Sequence, residues 1–337
     1  MLHEALKKVV SSNDLSAQEM AEVINIIMKG EASEAETAAL LIALRMKGES
    51  ISEVTGAAQS MRENAVFIDA GPQNVVDTCG TGGDGANTFN ISTTAAFVVA
   101  GAGVNVAKHG NRASSSICGS ADVLAELGFN LNADAVLMEQ SIQENGIGFL
   151  FAPQMHPAMK HVMPVRRQLK LRTIFNILGP LTNPANASGQ VIGVFAPELT
   201  ELFAEVLKNL GTRRAFIVHG HDGLDEISCC ENSRVTELRD GEIKTYDLYP
   251  ELLIGQLYDA EDLAGGDAVT NAEITRAVLS GERRDGARAI TVINAAAAIV
   301  AGEKAESIEE GIILAEESID SGAAMNKLNL LIEASNS

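Results

Sequence analysis

The chain has 337 residues, of which 46% are hydrophobic and 21% charged, a composition typical of a soluble α/β protein and unlike fibrous or disordered chains. Its formal net charge of −20 disfavours binding to nucleic acid or to an anionic membrane, unless charge is strongly segregated along the chain. No apolar run approaches the ~18 residues of a membrane span and no secretory signal is evident, so we expect a cytoplasmic protein.

The cysteines predict reduced thiols. Cys79, Cys118, Cys229 and Cys230 form no CxxC pair and no zinc-binding spacing, so we expect neither a disulfide framework nor a zinc site. Cys79 lies inside a glycine-rich stretch, where a nucleophile is conceivable. We interpret it as a small buried packing residue.

Three serine–glutamate pairs predict helix starts near the N-terminus. Ser16, Ser33 and Ser50 are each followed three positions later by a glutamate, which is the capping-box pattern. Glycines follow where the intervening helices would end. We therefore predict a small all-helical domain over residues 1–70.

Buried strands alternate with helical stretches after this domain. The apolar runs that we expect to be strands cover residues 75–78, 104–107, 149–152, 191–196 and 215–220. Their alternation with helices is typical of a mostly parallel sheet with crossover helices. Asp240-Gly241 predicts a hairpin. The predicted class is α/β, with residues 71–337 forming a larger α/β domain around a mostly parallel central sheet.

Acidic residues are missing from two windows of this larger domain. Residues 85–121 and 145–197 contain none of the 45 acids, whereas an even spread would place about five and about seven there. The windows keep seven basic residues, namely Lys108, Arg112, Lys160, Arg166, Arg167, Lys170 and Arg172. Burial removes charges of both signs, so selective loss of acids indicates a region that receives an anion.

The stretch VVDTCGTGGDGANTFNIST, residues 75–93, is the first candidate for that region. Its G-x-G-x-x-G pattern matches a dinucleotide fingerprint, which also needs an acid about 20 residues onward. The next acid after Gly85 is Asp122, so a dinucleotide site is disfavoured. No G-x-x-x-x-G-K-[ST] or G-x-S-x-G pattern occurs, which argues against a P-loop and a hydrolase nucleophile elbow.

The glycines of this stretch allow backbone conformations in which successive N–H groups can hold an anion. Neutral donors follow them, namely Thr88, Asn90, Ser92, Thr93 and Thr94. They precede or begin the predicted helix STTAAFVVAG, where the helix dipole adds positive potential. An ordinary turn and cap would need only one or two such residues, so we expect a phosphate site.

The segment AKHGNRASSS ends the next strand with cations and further donors. Because ligands bind beyond the carboxyl ends of strands in open α/β sheets, we expect it to face the same crevice. Lys108 would place a point charge on a phosphate, and Arg112 would support it. Ser116 and Ser120 continue the donor series. His109 is open between a proton carrier and a positioning or packing residue.

Two adjacent acids, Asp225 and Glu226, follow the last predicted strand. Adjacent acids on a surface turn are usually only solvated. Beside a phosphate site they become candidate Mg²⁺ ligands, because Mg²⁺ combines a few carboxylates with substrate phosphate.

Four stretches together resemble one known family. They are DTCGTGGDGANTFNIST, KHGNRASSSICGSADVLAELG, VRRQLKLRTIFNILGPLTNP and DGLDEIS. In order and spacing they are similar to the motifs of anthranilate phosphoribosyltransferases, and the resemblance covers nearly the whole chain. It implies the nucleoside phosphorylase/phosphoribosyltransferase type of fold, in which the small helical domain also includes a return segment near residues 165–185. It further implies a homodimer, with Mg²⁺ as cofactor.

The resemblance also implies roles for individual residues. Those implied for 5-phosphoribosyl 1-diphosphate are Gly80, Gly83, Asp84, Thr88, Asn90, Ile91, Ser92, Thr93, Lys108, His109, Asn111, Arg112, Ser116 and Ser120. Those implied for anthranilate are Gly80, Asn111 and Arg166, with the neighbouring Arg167 turned about 100° away if both lie on a helix. Those implied for Mg²⁺ are Ser92, Asp225 and Glu226, and Lys108, Asp225 and Glu226 would serve catalysis.

The implied reaction joins the amine of anthranilate to C1 of the phosphoribosyl group and releases pyrophosphate, a step of tryptophan biosynthesis. One alternative is a pyrimidine nucleoside phosphorylase, which shares the fold, although the run GTGGDGANTFNIST is less like that branch. The other is a non-catalytic nucleic-acid-binding relative, which the strongly acidic chain disfavours. We expect no nucleic-acid or membrane partner.

Overall fold

The computed structural model describes residues 1–113 and 117–337. The chain begins with four helices, α1 (Leu2–Val10), α2 (Ala17–Met28), α3 (Glu34–Lys47) and α4 (Ile51–Glu63). The three predicted capping boxes are confirmed at the starts of α2, α3 and α4, where each serine side chain and its glutamate partner exchange hydrogen bonds with backbone N–H groups. Each serine–glutamate pair thus marks where a helix begins.

One mixed sheet forms the centre of the remaining chain. Its strands are β1 (Val75–Gly80), β2 (Asn105–Gly110), β3 (Ile147–Phe151), β4 (Gly189–Gly193), β5 (Arg214–Gly220), β6 (Ser233–Arg239) and β7 (Glu242–Leu248). They lie in the order β3-β2-β1-β4-β5-β6-β7. The first five strands are parallel, and the β5–β6 and β6–β7 pairs are antiparallel. The predicted hairpin is confirmed between β6 and β7, where Asp240 and Gly241 have φ of 51° and 87°.

Helices connect and follow these strands. They are α5 (Ile91–Gly101), α6 (Ser120–Leu127), α7 (Ala135–Asn145), α8 (Ala152–Met155), α9 (Met163–Leu169), α10 (Phe175–Leu178), α11 (Leu199–Asn209), α12 (Pro250–Ile254), α13 (Ala268–Leu279), α14 (Gly286–Ala301), α15 (Ile308–Asp320) and α16 (Ala323–Ser335). The predicted class is confirmed, since a helical bundle precedes an α/β unit with a mostly parallel sheet. No helix in the described ranges is both long and apolar enough to cross a bilayer.

Apolar side chains cover both faces of the sheet. Along β4, Val191 joins the core formed with α5, α14 and α16, whereas its neighbour Ile192 joins the core formed with α11 and the N-terminal helices. Along β5, Phe216 joins the first of these cores and Ile217 joins the second. This period of two is that of strands buried on both faces, which explains why they appear as continuous apolar runs in the sequence.

The second of these cores joins the N-terminal helices to the sheet without a break. It contains residues of α1 to α4, of α9 and α10, and of β4, β5 and α11. Val165 on α9 and Phe175 on α10 therefore pack in the same apolar body as the N-terminal helices. The return segment near residues 165–185 and the domain limits at 1–70 and 71–337 stay a prediction.

Candidate active site

The site lies where the strand order reverses. From β1 the chain crosses to β2 on one side, and β4 later pairs with β1 on the other side. Loops that leave neighbouring parallel strands in opposite directions open a crevice at their carboxyl ends, and ligands bind there in open α/β sheets. The glycine stretch leaves β1 at this point, as the sequence predicts.

The glycine stretch and the acid pair are in direct contact. The backbone N–H of Gly82 donates to Oδ2 of Asp225 over 2.8 Å. A Cβ atom at Gly80 would lie 2.6 Å from the same oxygen, and one at Gly193 would lie 1.5 Å from the Asp225 carbonyl oxygen. Glycine is therefore required at both positions for Asp225 to lie against the ends of β1 and β4.

Gly83, Asp84 and Gly85, which follow Gly82 in the loop, present unpaired backbone N–H groups among the described residues. Gly82, Gly83 and Gly85 have φ of 64°, 84° and 77°, which L side chains rarely adopt. Within the described residues, the N–H groups of Gly83, Asp84 and Gly85 donate to no acceptor. Successive free N–H groups in such a conformation form an anion-binding concavity.

The donors after the glycines are held by a distant part of the chain. Thr88 forms a β-bridge with Ala264. The side chain of Asn90 donates to the Cys118 carbonyl over 3.2 Å and accepts from the Asn271 amide over 2.9 Å. Helix α5 then begins at Ile91, with no acid in its first turn, so its positive end stays uncompensated there.

Lys108 lies inside β2, where it is only 4% exposed. Its Nζ atom donates to the Thr78 carbonyl and lies 3.5 Å from Oγ of Ser92. Burial lowers the pKa of this amine, while the charges of Asp77 and Glu226 oppose that shift. The cation thus stands between the ends of β1 and α5, beside the acids.

The acids near Lys108 repel one another. Burial and the charge of Asp84 raise the pKa of Asp225, and burial and Asp225 do the same to Glu226. Lys108 opposes the shift at Glu226. Carboxylates that are costly to ionise together are stabilised by a cation placed among them.

This donor set fits Mg²⁺, which prefers carboxylate oxygens and keeps part of its coordination for water and phosphate. Within the described part of the chain, no group of three or more His, Cys, Asp or Glu side chains is arranged to hold a metal alone.

The segment after β2 is braced by α6. Oγ of Ser120, the first residue of α6, accepts from the Asn111 N–H over 3.1 Å and donates to the Asn111 carbonyl over 3.2 Å. The Arg112 guanidinium pairs with Asp122 at 2.8 Å, so its charge is already compensated. Ser116, also predicted to bind the sugar diphosphate, lies outside the described residues.

Arg166 and Arg167 differ in exposure. Arg166 is half-buried on α9 and Arg167 is exposed. Burial lowers the pKa of Arg166. Its side chain has no ion pair or hydrogen bond among the described residues, which leaves a forked cation available to a carboxylate.

Sequence reasoning missed a buried polar network beneath the site. Asp77 of β1 is fully buried and accepts from the His109 N–H over 3.0 Å and from the Asn183 amide over 2.8 Å. The ring centroids of His109 and His156 are 5.1 Å apart. An acid within the apolar run VVDT was the available signal for Asp77, because buried carboxylates need partners.

Two family models match the chain. The helical-bundle domain of a glycosyl transferase family matches residues 3–65, and the a/b domain of the same family matches residues 72–325. Anthranilate phosphoribosyltransferase from Desulfosudis oleivorans is 54% identical over 333 residues, which cover 99% of this chain and 98% of that protein. The enzyme of the same name from Syntrophobacter fumaroxidans is 55% identical and covers 100% of this chain and 99% of its own length.

Solved structures agree with these sequences. Anthranilate phosphoribosyltransferase from Thermus thermophilus superposes with a TM-score of 0.94 at 42% identity, covering 99% of each chain. The Saccharomyces cerevisiae enzyme in complex with PRPP and Mg superposes with a TM-score of 0.88 at 29% identity, over 99% of this chain and 98% of that one. The chain therefore belongs to the anthranilate phosphoribosyltransferase family.

Proposed function

We propose that this protein transfers the 5-phosphoribosyl group of 5-phosphoribosyl 1-diphosphate to the amine of anthranilate, in tryptophan biosynthesis. The products are N-(5-phosphoribosyl)anthranilate and pyrophosphate. The observation that carries this proposal is the run of unpaired N–H groups at Gly83, Asp84 and Gly85, which lies against the acid pair at the strand-order reversal. Family membership at 54% identity over nearly the full length supports it.

The glycine stretch and the start of α5 receive the diphosphate in this proposal. Free backbone N–H groups and a helix N-terminus bind phosphate oxygens without needing many cations. The proposed contacts are those of Gly80, Gly83, Asp84, Thr88, Asn90, Ile91, Ser92, Thr93, Lys108, His109, Asn111, Arg112, Ser116 and Ser120. Of these, Lys108 supplies a buried charge close to the helix start.

Asp225, Glu226 and Ser92 are the proposed Mg²⁺ ligands. When bound, the ion neutralises charge that develops on the departing diphosphate. The protein's part is to hold its own oxygens in place, which the contact of Asp225 with Gly82 supports. Lys108, whose Nζ atom lies 3.5 Å from Oγ of Ser92, stabilises the same developing charge.

Arg166, with Asn111 and Gly80, is the proposed anthranilate site. A guanidinium binds a carboxylate with two parallel hydrogen bonds, which would orient the amine toward C1 of the ribose. We propose no strong general base, because an aromatic amine is unprotonated near neutral pH. His109 agrees with this, since burial lowers its pKa to about 3.

A homodimer and a cytoplasmic location are further parts of the proposal. Met1, Val10, Met46 and Ile51 in the N-terminal helical region are large apolar residues that stay exposed, and a second copy that packs against this region would bury some of them. Light scattering should then give twice the chain mass of 35.5 kDa.

The deciding experiment is loss of anthranilate fluorescence on adding 5-phosphoribosyl 1-diphosphate and Mg²⁺ to the purified protein. Turnover should require all three components, and chelation of the metal should stop it. Absence of turnover with all components present would refute the proposal. Phosphate-dependent release of base from thymidine would instead favour a nucleoside phosphorylase.

A further inference from the structure

Arg172 contacts both the glycine stretch and helix α3. It follows α9 and precedes α10, inside the proposed return segment. Its Nη2 atom donates to the Gly83 carbonyl over 2.7 Å. Its guanidinium lies over the Phe195 ring, 4.2 Å from the ring centroid. Its own carbonyl accepts a hydrogen bond from Arg45 of α3.

The bond to Gly83 fixes more than one carbonyl. The Gly83 C=O and the Asp84 N–H belong to one planar trans peptide, so they point in opposite directions. Holding the carbonyl on the Arg172 side therefore turns the Asp84 N–H to the other side. That N–H has no acceptor among the described residues, and the Asp84 side chain on the same residue lies beside Asp225.

The loop is thus held from two sides. Asp225 accepts from the Gly82 N–H, and Arg172 donates to the Gly83 carbonyl. A Cβ atom at Gly83 would lie 2.6 Å from Nη2 of Arg172, so the approach depends on glycine there. With its flanking peptides fixed, the loop presents its N–H groups before a ligand arrives, which reduces the entropic cost of binding.

Stacking makes Arg172 suited to this position. A guanidinium over an aromatic face keeps its planar fork in one orientation, and a lysine ammonium offers no such plane. In the described residues, no carboxylate lies within ion-pair distance of Arg172, so no acid competes with the Gly83 carbonyl. Phe195 is itself anchored, since its N–H donates to Oγ1 of Thr81 over 3.0 Å.

We propose that Arg172 is a positioning residue for the diphosphate loop, which it orients through the Gly83 carbonyl while linking that loop to helix α3. This inference rests on the proposed function only for the identity of the ligand. Arg172 acts through the loop, so its effect should fall on the sugar diphosphate and spare anthranilate.

The test compares Arg172→Met and Arg172→Lys with Arg167→Met, a matched change at an exposed arginine of the same segment. Arg172→Met should raise the KM for 5-phosphoribosyl 1-diphosphate about tenfold, with the KM for anthranilate changed less than about twofold. Arg172→Lys should stay at least about fivefold above the parent, because the charge remains while the fork and the stack are lost. Arg167→Met should match the parent.

Full recovery by lysine would overturn the proposal, because charge alone would then explain the effect. Equal changes in both KM values, or none, would overturn it as well. If Arg172→Met fails to fold, Phe195→Leu removes the stack alone and should raise the same KM about threefold, and an unchanged KM would refute the proposal.

Calorimetry separates this inference from the proposed function. Titration of the parent and Arg172→Met with 5-phosphoribosyl 1-diphosphate and Mg²⁺ measures loop binding without anthranilate. If the parent binds the sugar diphosphate but transfers nothing to anthranilate, the proposed function is refuted and the binding comparison between the variants stays valid. If the parent is active and Arg172→Met is equally active, only the positioning role of Arg172 is refuted.

Discussion

Gly80→Ala should damage the candidate site by displacing Asp225, a proposed metal ligand. The added methyl group would lie 2.6 Å from Oδ2 of Asp225, whereas carbon–oxygen contacts settle near 3.3 Å, so the carboxylate must move by about 0.7 Å. That movement also stretches the 2.8 Å hydrogen bond from the Gly82 N–H. Because misplacing a reacting group by about 1 Å costs about a hundredfold, we expect kcat/KM to fall about thirtyfold, or about 2 kcal/mol.

The assay is anthranilate consumption followed over a Mg²⁺ titration. The displaced carboxylate should raise the Mg²⁺ concentration needed for half-maximal rate, and excess Mg²⁺ should restore part of the activity. Thermal unfolding serves as the control, because Gly80 has an ordinary φ and the alanine should not strain the backbone. A variant with kcat/KM within about twofold of the parent and an unchanged Mg²⁺ dependence would refute the reasoning.

Three other variants examine separate parts of the molecule. Arg166→Ala should raise the KM for anthranilate at least about tenfold and change that for the sugar diphosphate little, while the exposed Arg167→Ala serves as control; equal effects of Arg166→Ala on both substrates would remove the clamp assignment. The double variant with Asp225→Asn and Glu226→Gln should lower Mg²⁺-dependent turnover more than about a hundredfold, and unaltered activity would show that neither acid takes part in metal binding. His156→Phe should make the free energy of unfolding less sensitive to acid. Burial lowers the pKa of His156 in the folded state from 6.5 to about 4, so below pH 6.5 the unfolded chain binds a proton that the folded chain does not. The stability of the parent therefore falls as the pH drops below 6.5. Urea unfolding should show the parent losing about 1.2 kcal/mol more than the variant between pH 7 and pH 5.5, and equal losses would contradict this origin.

The fold was predictable wherever local chemistry decides the conformation. Ser16, Ser33 and Ser50 each need a glutamate three residues later, and this short-range pattern was visible in the sequence. Strand limits were not predictable in this way, since the fourth strand was expected over 191–196 and lies at Gly189–Gly193. Pairing with neighbouring strands sets such limits, and a single sequence does not contain that information.

The motifs of the candidate site were visible in the sequence, whereas its long-range contacts were not. Adjacent acids after a buried strand pointed to Asp225, and glycines after another strand pointed to the N–H-rich loop. The contact of Arg172 with Gly83 spans 89 residues of chain and depends on how α9 packs, so no local pattern indicates it. The fully buried Asp77 was visible as an acid in an apolar run, but its partner Asn183 lies 106 residues away.

The N-terminal helices share one apolar core with β4, β5 and α11. Exchanging this bundle between relatives would therefore create a chimaera in which the apolar side chains of the bundle do not match those of the sheet and α11. Grafting should succeed only when the facing side chains of α11 and the sheet travel with the bundle. The helical bundle and the surface of β4, β5 and α11 against which it packs therefore form one structural unit, although the capping motifs of the bundle are local in sequence.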